Sequence, residues 1–464
     1  MSAAITPLAA GFEAPDRDAW LGLVEKTLKG ASLDTLVTKT ADGLAIQPLY
    51  AASTAPALPS WRAGTAERPW DIRCVTVHPD PARANRDILE DLEGGAASVL
   101  VQVNNPADLA QVLTGVMTDL APVALSAGFL GPQATDALAA IAKSAPGAPL
   151  AFHMDPVTAF ARSGSSPGPI DSHIIAAATA AARHAETYPK ATFALASGQV
   201  AHEAGGSEAQ ELAFMAASAV TYLRALTRAG VSPPRALAGI VLGLAVDQDY
   251  FVSIAKLRAA RRIWGRISEA CGTATPARIE ARSSRRMLTV ADPWTNLVRL
   301  TASSFAGAVG GADAIVLGAF TDAIGLPALL ARRQARNTQL VLMEEAHLGR
   351  VADPAAGSGF VEDLTDQLAA KAWSLFQDIE RAGGLVAALR AGTVQSGIAA
   401  ARAALTADIQ SGERKILGVT DFKPTEEAPV DTEAFTAQPE VSARLPGPDS
   451  VCDALPAWRL EEAV

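Results

Sequence analysis

The feature that most constrains this chain is an alternation that repeats between about residues 60 and 400. Short apolar runs are separated by stretches with helical periodicity. The runs fall at 98–103, 149–153, 192–196, 240–246 and 314–320. They are continuous rather than alternating, which suits parallel strands covered by helices. The intervening segments carry start and stop signals. Ser207, Glu208, Ala209 and Gln210 form a capping-box pattern, and that helix can run to a stop at Gly230. Asp292 offers a cap before Pro293, and Gly310 and Gly311 can end the helix that follows. Repeated strand–helix units of this kind predict an α/β fold, either a (β/α)8 TIM-type barrel or a doubly wound sheet.

The flanks read differently. Before residue 60 a short amphipathic helix around Trp20 to Leu28 stops at Gly30, and an extended segment follows at 42–50. The Pro/Ala/Ser run 51–59 reads as a linker. After about residue 405 the texture turns polar, and 423–448 is rich in Pro, Glu and Thr. That composition predicts an exposed or partly disordered tail. The expected division is an arm and linker over 1–60, a barrel over 61–404 and a tail over 405–464.

Composition excludes several function classes. The formal charge of -10 comes without a Lys/Arg block, so nucleic-acid or anionic-membrane binding has little electrostatic support. Cys74, Cys271 and Cys452 are scattered, without CxxC spacing, which argues against a disulfide framework or a zinc cluster and fits a reducing cytoplasm. The N-terminus has no basic start followed by a long apolar run, so no signal peptide is expected. The apolar stretch 302–320 contains Gly310, Gly311 and Asp313, which suits buried elements rather than a membrane span.

Common catalytic motifs fail. There is no phosphate-binding GxxxxGK[ST] loop, and Gly357, Ser358 and Gly359 lack the third glycine of a dinucleotide loop. His202 and Glu203 open like a zinc-protease motif, but position 206 is Gly, so a structural turn is expected. His153, His173, His184 and His347 are dispersed. Asp171, Ser172 and His173 begin like the Asp-x-His-x-x-Gly cobalt-ligating motif, but position 176 is Ala, and the match is read as chance.

A specific order of motifs runs through 286–384. It comprises Met287 to Thr289, Asp292 to Asn296, Gly310 to Asp313, 335–340, Glu344 with Glu345, Arg350 to Pro354, and Gly357 with Ser358. The segment 254–264, Glu203 ahead of 210–214, the extended segment 42–50, and Trp70 to Arg73 add to it. Together they resemble the cobalamin-dependent acyl-CoA mutase family, and its small-subunit branch more closely, over nearly the whole chain to about residue 420. The resemblance favours the barrel, with an N-terminal extended arm and without a C-terminal cobalamin-binding domain. The cationic residues Lys256, Arg258, Arg261 and Arg262, and likewise Arg332, Arg333 and Arg336, are expected to form solvated or partner-facing basic faces.

Catalytic chains of the family need a group that polarises a migrating thioester carbonyl while adenosylcobalamin supplies a carbon radical. The resemblance places their Tyr where this chain has Val75, and their Tyr-His pair at Gln199 and Val200. A substrate-carboxylate arginine falls at or near Ser163, beside Arg162. Valine neither donates a hydrogen bond nor transfers a proton. Glu345 matches a position that faces the corrin in catalytic chains, and it is expected here to be a residual fold-stabilising carboxylate. No metal ligand and no catalytic residue is expected in this chain. The resemblance therefore implies a non-catalytic subunit in the rearrangement of methylmalonyl-CoA to succinyl-CoA. It implies a heterodimer with a homologous catalytic large subunit that carries the adenosylcobalamin. Two alternatives stay open: the catalytic barrel of a split mutase with a separate cobalamin chain, and a mutase-like scaffold.

Overall fold

The computed structural model describes residue 11 and residues 16–53, 67–426, 428–434 and 447–464. The chain divides into two compact units, Met1–Ala51 and Ala52–Val464. Most of the linker read at 51–59 lies outside the described residues.

The first unit is built from local signals. Asp16 caps the helix Arg17–Leu28 by accepting from the Ala19 amide at 2.8 Å. Lys29 and Gly30 then take positive φ and end it. Thr38–Lys39 and Ala45–Ile46 pair as a small antiparallel hairpin. The helix buries none of its residues, and Leu23 is 61% exposed.

The second unit is a closed eight-stranded parallel barrel. Its strands are β1 (Asp71–Thr76), β2 (Ser98–Gln102), β3 (Val123–Ser126), β4 (Ala151–Met154), β5 (Thr192–Ser197), β6 (Ile240–Val246), β7 (Ile279–Ser283) and β8 (Ala314–Val316). Each strand pairs with the next, and β8 returns to β1 through Ala314 beside Asp71 and Ile315 beside Ile72. The expected (β/α)8 architecture is therefore observed, and the doubly wound alternative is excluded. Strand β6 is buried at all seven positions, as a parallel strand between a filled lumen and a helical layer must be. The run 314–320 yields only three strand residues, because Gly318 and the Asp322 side chain turn the chain at the rim.

The helical layer follows the sequence signals closely. Helix α1 (Gln199–Glu203) leaves β5, and α2 (Glu208–Arg228) begins at a complete Ser207–Gln210 capping box. Helix α3 (Tyr250–Ala270) packs beside α2, and α4 (Gly359–Arg381) packs against both. Asp292 itself sits at φ 49 and caps no amide with its side chain; instead it accepts from the Thr295 hydroxyl at 2.5 Å. None of the helices is long and apolar enough to cross a membrane among the described residues.

The tail differs from expectation. The proposed boundary at 404 falls inside helix α5 (Thr393–Ser411). Residues 447–464 do not hang free but run as a strap over the loops after β4, β5 and β7. The Cys452, Leu455, Trp458 and Leu460 amides donate to the carbonyls of Gly164, Ala161, Glu203 and Arg286 at 2.7–3.0 Å. Trp458, Leu460 and Ala463 are buried against Leu405 and Ile409 of α5. A few large apolar residues in a polar segment suffice to dock it, which average composition hides. Residues 435–446 lie outside the described residues.

Trp458 is the largest apolar anchor of this strap. Replacing it with Ala is expected to lower unfolding free energy by about 3–5 kcal/mol, read as a lower denaturant midpoint. An unchanged midpoint contradicts the docking described here.

Candidate functional site

In a barrel of this kind the chemistry sits at the C-terminal ends of the strands. The lumen beneath that face holds a buried charge cluster. Arg73 of β1 and Arg282 of β7 both pair with Glu280 of β7, and Arg73 also donates to Ser98 of β2 at 2.9 Å. His153 of β4 stands 3.8 Å from the same carboxylate. Residues from strands that are not neighbours can meet only inside the barrel, so these side chains fill the lumen. Burial alone would raise the Glu280 pKa, but Arg282, His153 and Arg73 outweigh it and hold the carboxyl ionised. Burial, reinforced by Arg73 and Arg282, pushes the His153 imidazole down to about 4 despite Glu280, so it is neutral at pH 7.

An apolar layer lies beside this cluster. Val75 of β1 packs against Leu100, Ala124, Ala151 and Val316 from four other strands. The side chain at this family position is thus half-buried in hydrocarbon, where nothing donates a proton. Its neighbour Cys74 points outward toward Asp91, and its thiol is pushed up to about 12, chiefly by burial.

The loop after β5 forms part of the rim. Gln199 Nε2 reaches Glu203 Oε1 at 3.4 Å, and the same oxygen accepts from the Arg285 amide at 2.9 Å. Val200 is 1% exposed and serves as core. Behind the rim, Glu211 Oε2 meets Lys256 Nζ at 2.6 Å, while Glu211 Oε1 accepts from the Ala245 amide at 2.5 Å. His202 bridges Ser284 at 2.8 Å and Glu211 at 3.4 Å. Burial would raise the Glu211 pKa, but Lys256 and His202 pull it down to about 2.

The remaining expected positions are scattered. Ser163 ties its hydroxyl to the Ala159 and Ser165 carbonyls at 2.8 and 2.7 Å, a local helix-end role. Glu345 lies exposed on a π-helical turn and makes no ion pair among the described residues, so it does not brace the fold. The structure thus gathers Gln199 with Glu203 and the Arg285 loop, places Val75 in the apolar layer, and leaves Glu345 apart.

The basic faces require a correction. Lys256 and Arg258 are fully buried and Arg261 is nearly so. Arg258 pairs with Asp353 and Glu362, and Arg261 with Asp313. Arg332 and Arg336 are likewise buried against Asp87, Glu90 and Asp91, while Arg333 is exposed. Most of these cations are internal ties rather than a solvated surface. The acids that match them are distant in sequence, so spacing alone does not reveal the pairs. His202, Glu208 and Asp247 bring potential ligand atoms within 4.8 Å of one another. Arg286 already reaches both carboxylates at 3.6 and 3.5 Å and supplies the cation there.

Comparison with known proteins decides the lineage. A family model described as methylmalonyl-CoA mutase matches residues 101–445. This chain belongs to the methylmalonyl-CoA mutase family. It is 38% identical over 461 residues to a methylmalonyl-CoA mutase small subunit of Streptomyces virginiae, covering 93% of this chain and 74% of that one. It is 31% identical to a small subunit of Propionibacterium freudenreichii subsp. shermanii, over 93% of this chain and 72% of the relative. A probable small subunit of Mycobacterium bovis is 39% identical over 76% of this chain, and the match spans 61% of that protein. Family chemistry is cobalamin-dependent, and His173 does not fit the cobalt-ligating motif. His173 lies on the outer helix Ile170–His184 with its ring 4.8 Å from Phe129, and Ala176 stands where the ligating motif has Gly.

Two outcomes follow from the buried pair. Lys256→Met strands the Glu211 carboxylate and is expected to cost about 3–5 kcal/mol of stability, measured by urea unfolding; a loss within error of zero contradicts it. The Glu211 carboxyl is depressed in the folded state from its ordinary 4.5 to about 2. Its contribution is therefore full above about 4.5 and is lost as pH falls toward about 2. Glu211→Gln should flatten the acid limb of the stability–pH profile, and an unaltered limb would count against this assignment.

Proposed function

We infer that this chain is the small, non-catalytic subunit of an adenosylcobalamin-dependent methylmalonyl-CoA mutase, acting in the cytoplasm. One observation carries the reading. The family's proton-donating positions are taken by Val75 in an apolar layer, by Gln199 tied to Glu203, and by the buried Val200. None of the three polarises a thioester carbonyl as a Tyr-His pair does. The lumen that a ligand would enter holds the Arg73–Glu280–Arg282 cluster instead. In this reading the radical chemistry belongs to adenosylcobalamin on a homologous large subunit. This barrel contributes a rigid, self-satisfied partner.

The arm supplies one side of that partnership. Its helix buries none of its residues within its own unit and presents Leu23 at 61% exposure. A buried Leu contributes roughly 1.5–3 kcal/mol relative to an exposed one. Deleting residues 1–51 is expected to weaken association with the large subunit, and unchanged affinity by titration calorimetry contradicts that role.

The activity test uses the purified chain with and without the large subunit. Alone, with adenosylcobalamin, it should give no succinyl-CoA from methylmalonyl-CoA and no base-off absorbance change, whereas the pair should turn over. Turnover by this chain with only a separate cobalamin-binding chain favours the split-mutase reading and refutes this one.

A further inference from the structure

We propose that a cleft outside the barrel wall, at the C-terminal ends of β1 and β2, binds a small uncharged polyol, free or as the sugar end of a larger molecule. The inference goes beyond the small-subunit reading and does not depend on it.

The cleft follows from the pleat of the strands. Val75 and Leu100 turn into the lumen, so their strand neighbours Thr76 and Val101 turn outward. Beyond them stand the helix Pro81–Glu93, which follows β1, and the short helix Leu109–Val112, which follows β2. Between these two strand–helix units lies about 360 Å3 of open space. Thr76, Val101 and Leu109 are buried along it, whereas Asn104 and Asn105 are exposed and Asp108 is half-buried. Small-ligand sites begin at about 300 Å3, so the cleft suits one sugar ring rather than a large cofactor. It opens on the face where barrels of this type carry their sites.

One buried group along the cleft is unsatisfied. Thr76 is 8% exposed, and its hydroxyl has no hydrogen-bond partner among the described residues. A buried hydroxyl left unpaired costs stability, and a ligand hydroxyl can satisfy it as donor or as acceptor. The loop after β2 offers the same mixed chemistry. Asn105 Oδ1 accepts from the Ala107 amide, and its Nδ2 donates to Asp108 Oδ1, each at 3.2 Å. This holds the Asp108 carboxylate in place and leaves Oδ2 to accept from a ligand. The Asn104 side chain makes no hydrogen bond among the described residues and presents both a donor and an acceptor. No Lys or Arg lines the cleft, so an anion finds no counter-charge there. His78 at its edge adds none, because its Nδ1 accepts from the Asp80 amide at 3.1 Å and so carries no proton. Apolar walls with a few groups that both donate and accept fit the C–H face and the O–H edge of a sugar.

The test is a saturation-transfer NMR titration of the full chain with ribose and with uridine. Tetrahydropyran, a ring without hydroxyls, and acetate, an anion, serve as controls. Saturable binding of ribose is expected, with none of either control. Asp108→Asn, which keeps the shape and removes the charge, should weaken ribose binding by about tenfold. Thr76→Val, which removes only the hydroxyl, should weaken it by about fivefold. Its unfolding midpoint should not fall, because no hydrogen bond within the chain is lost. Asp119→Asn removes an exposed acid ahead of β3 and should bind as wild type. Tighter binding of uridine marks the sugar end of a larger molecule, and equal or weaker binding marks the free polyol. The proposal is overturned if ribose does not saturate, if tetrahydropyran or acetate binds equally, or if either Asp108→Asn or Thr76→Val binds as wild type.

Discussion

A carboxylate inside a hydrophobic barrel is tolerable only if it is met by charge. Glu280 is met twice, by Arg73 from β1 and Arg282 from its own strand, with neutral His153 alongside. That arrangement ties β7 to β1 across the lumen, while β8 closes the ring between them with three residues. Removing one member leaves an uncompensated buried charge, so the cluster is all-or-none. The apolar layer around Val75 is then filled by the small and medium side chains of Leu100, Ala124, Ala151 and Val316.

The same logic recurs outside the lumen. Glu211 is held by Lys256, His202 and the Ala245 amide, which joins α2, α3 and β6 through one side chain. Arg258 fastens α3 to Glu362 of α4 and to Asp353. Arg332 and Arg336 fasten their helix to Asp87, Glu90 and Asp91. Each tie links elements far apart in sequence, so the helical layer is cross-braced by charge as well as by packing. The strap completes the rim by capping backbone carbonyls of three loops.

Much of this was legible in the sequence, and the rest was hidden for physical reasons. The run at 240–246 became β6 without a residue's difference, and the Ser207–Gln210 box formed as expected, because both signals are local. The basic residues of α3 suggest a solvated face because charge ordinarily faces water, yet most of them are buried. At about 100° per residue, Arg258, Arg261 and Arg262 fall on the same side as Phe251 and Ile254. A cation sharing the apolar side of a helix points to a buried pair, and that signal was available. The docked strap was masked by the polar residues around Leu455, Trp458 and Leu460. Val75, Gln199 and Val200 are singled out only by the family resemblance, since nothing local distinguishes a core valine from a lost tyrosine.

The central proposal is that this barrel braces a mutase and performs no chemistry of its own. The most direct measurement is the turnover number of the assembled enzyme carrying Val75→Ala, Gln199→Ala and Val200→Ala in this chain. The account predicts turnover within about twofold of wild type for complex that assembles normally. A drop of about a hundredfold or more, at unchanged assembly and cobalamin content, would place this barrel in the reaction and contradict the account.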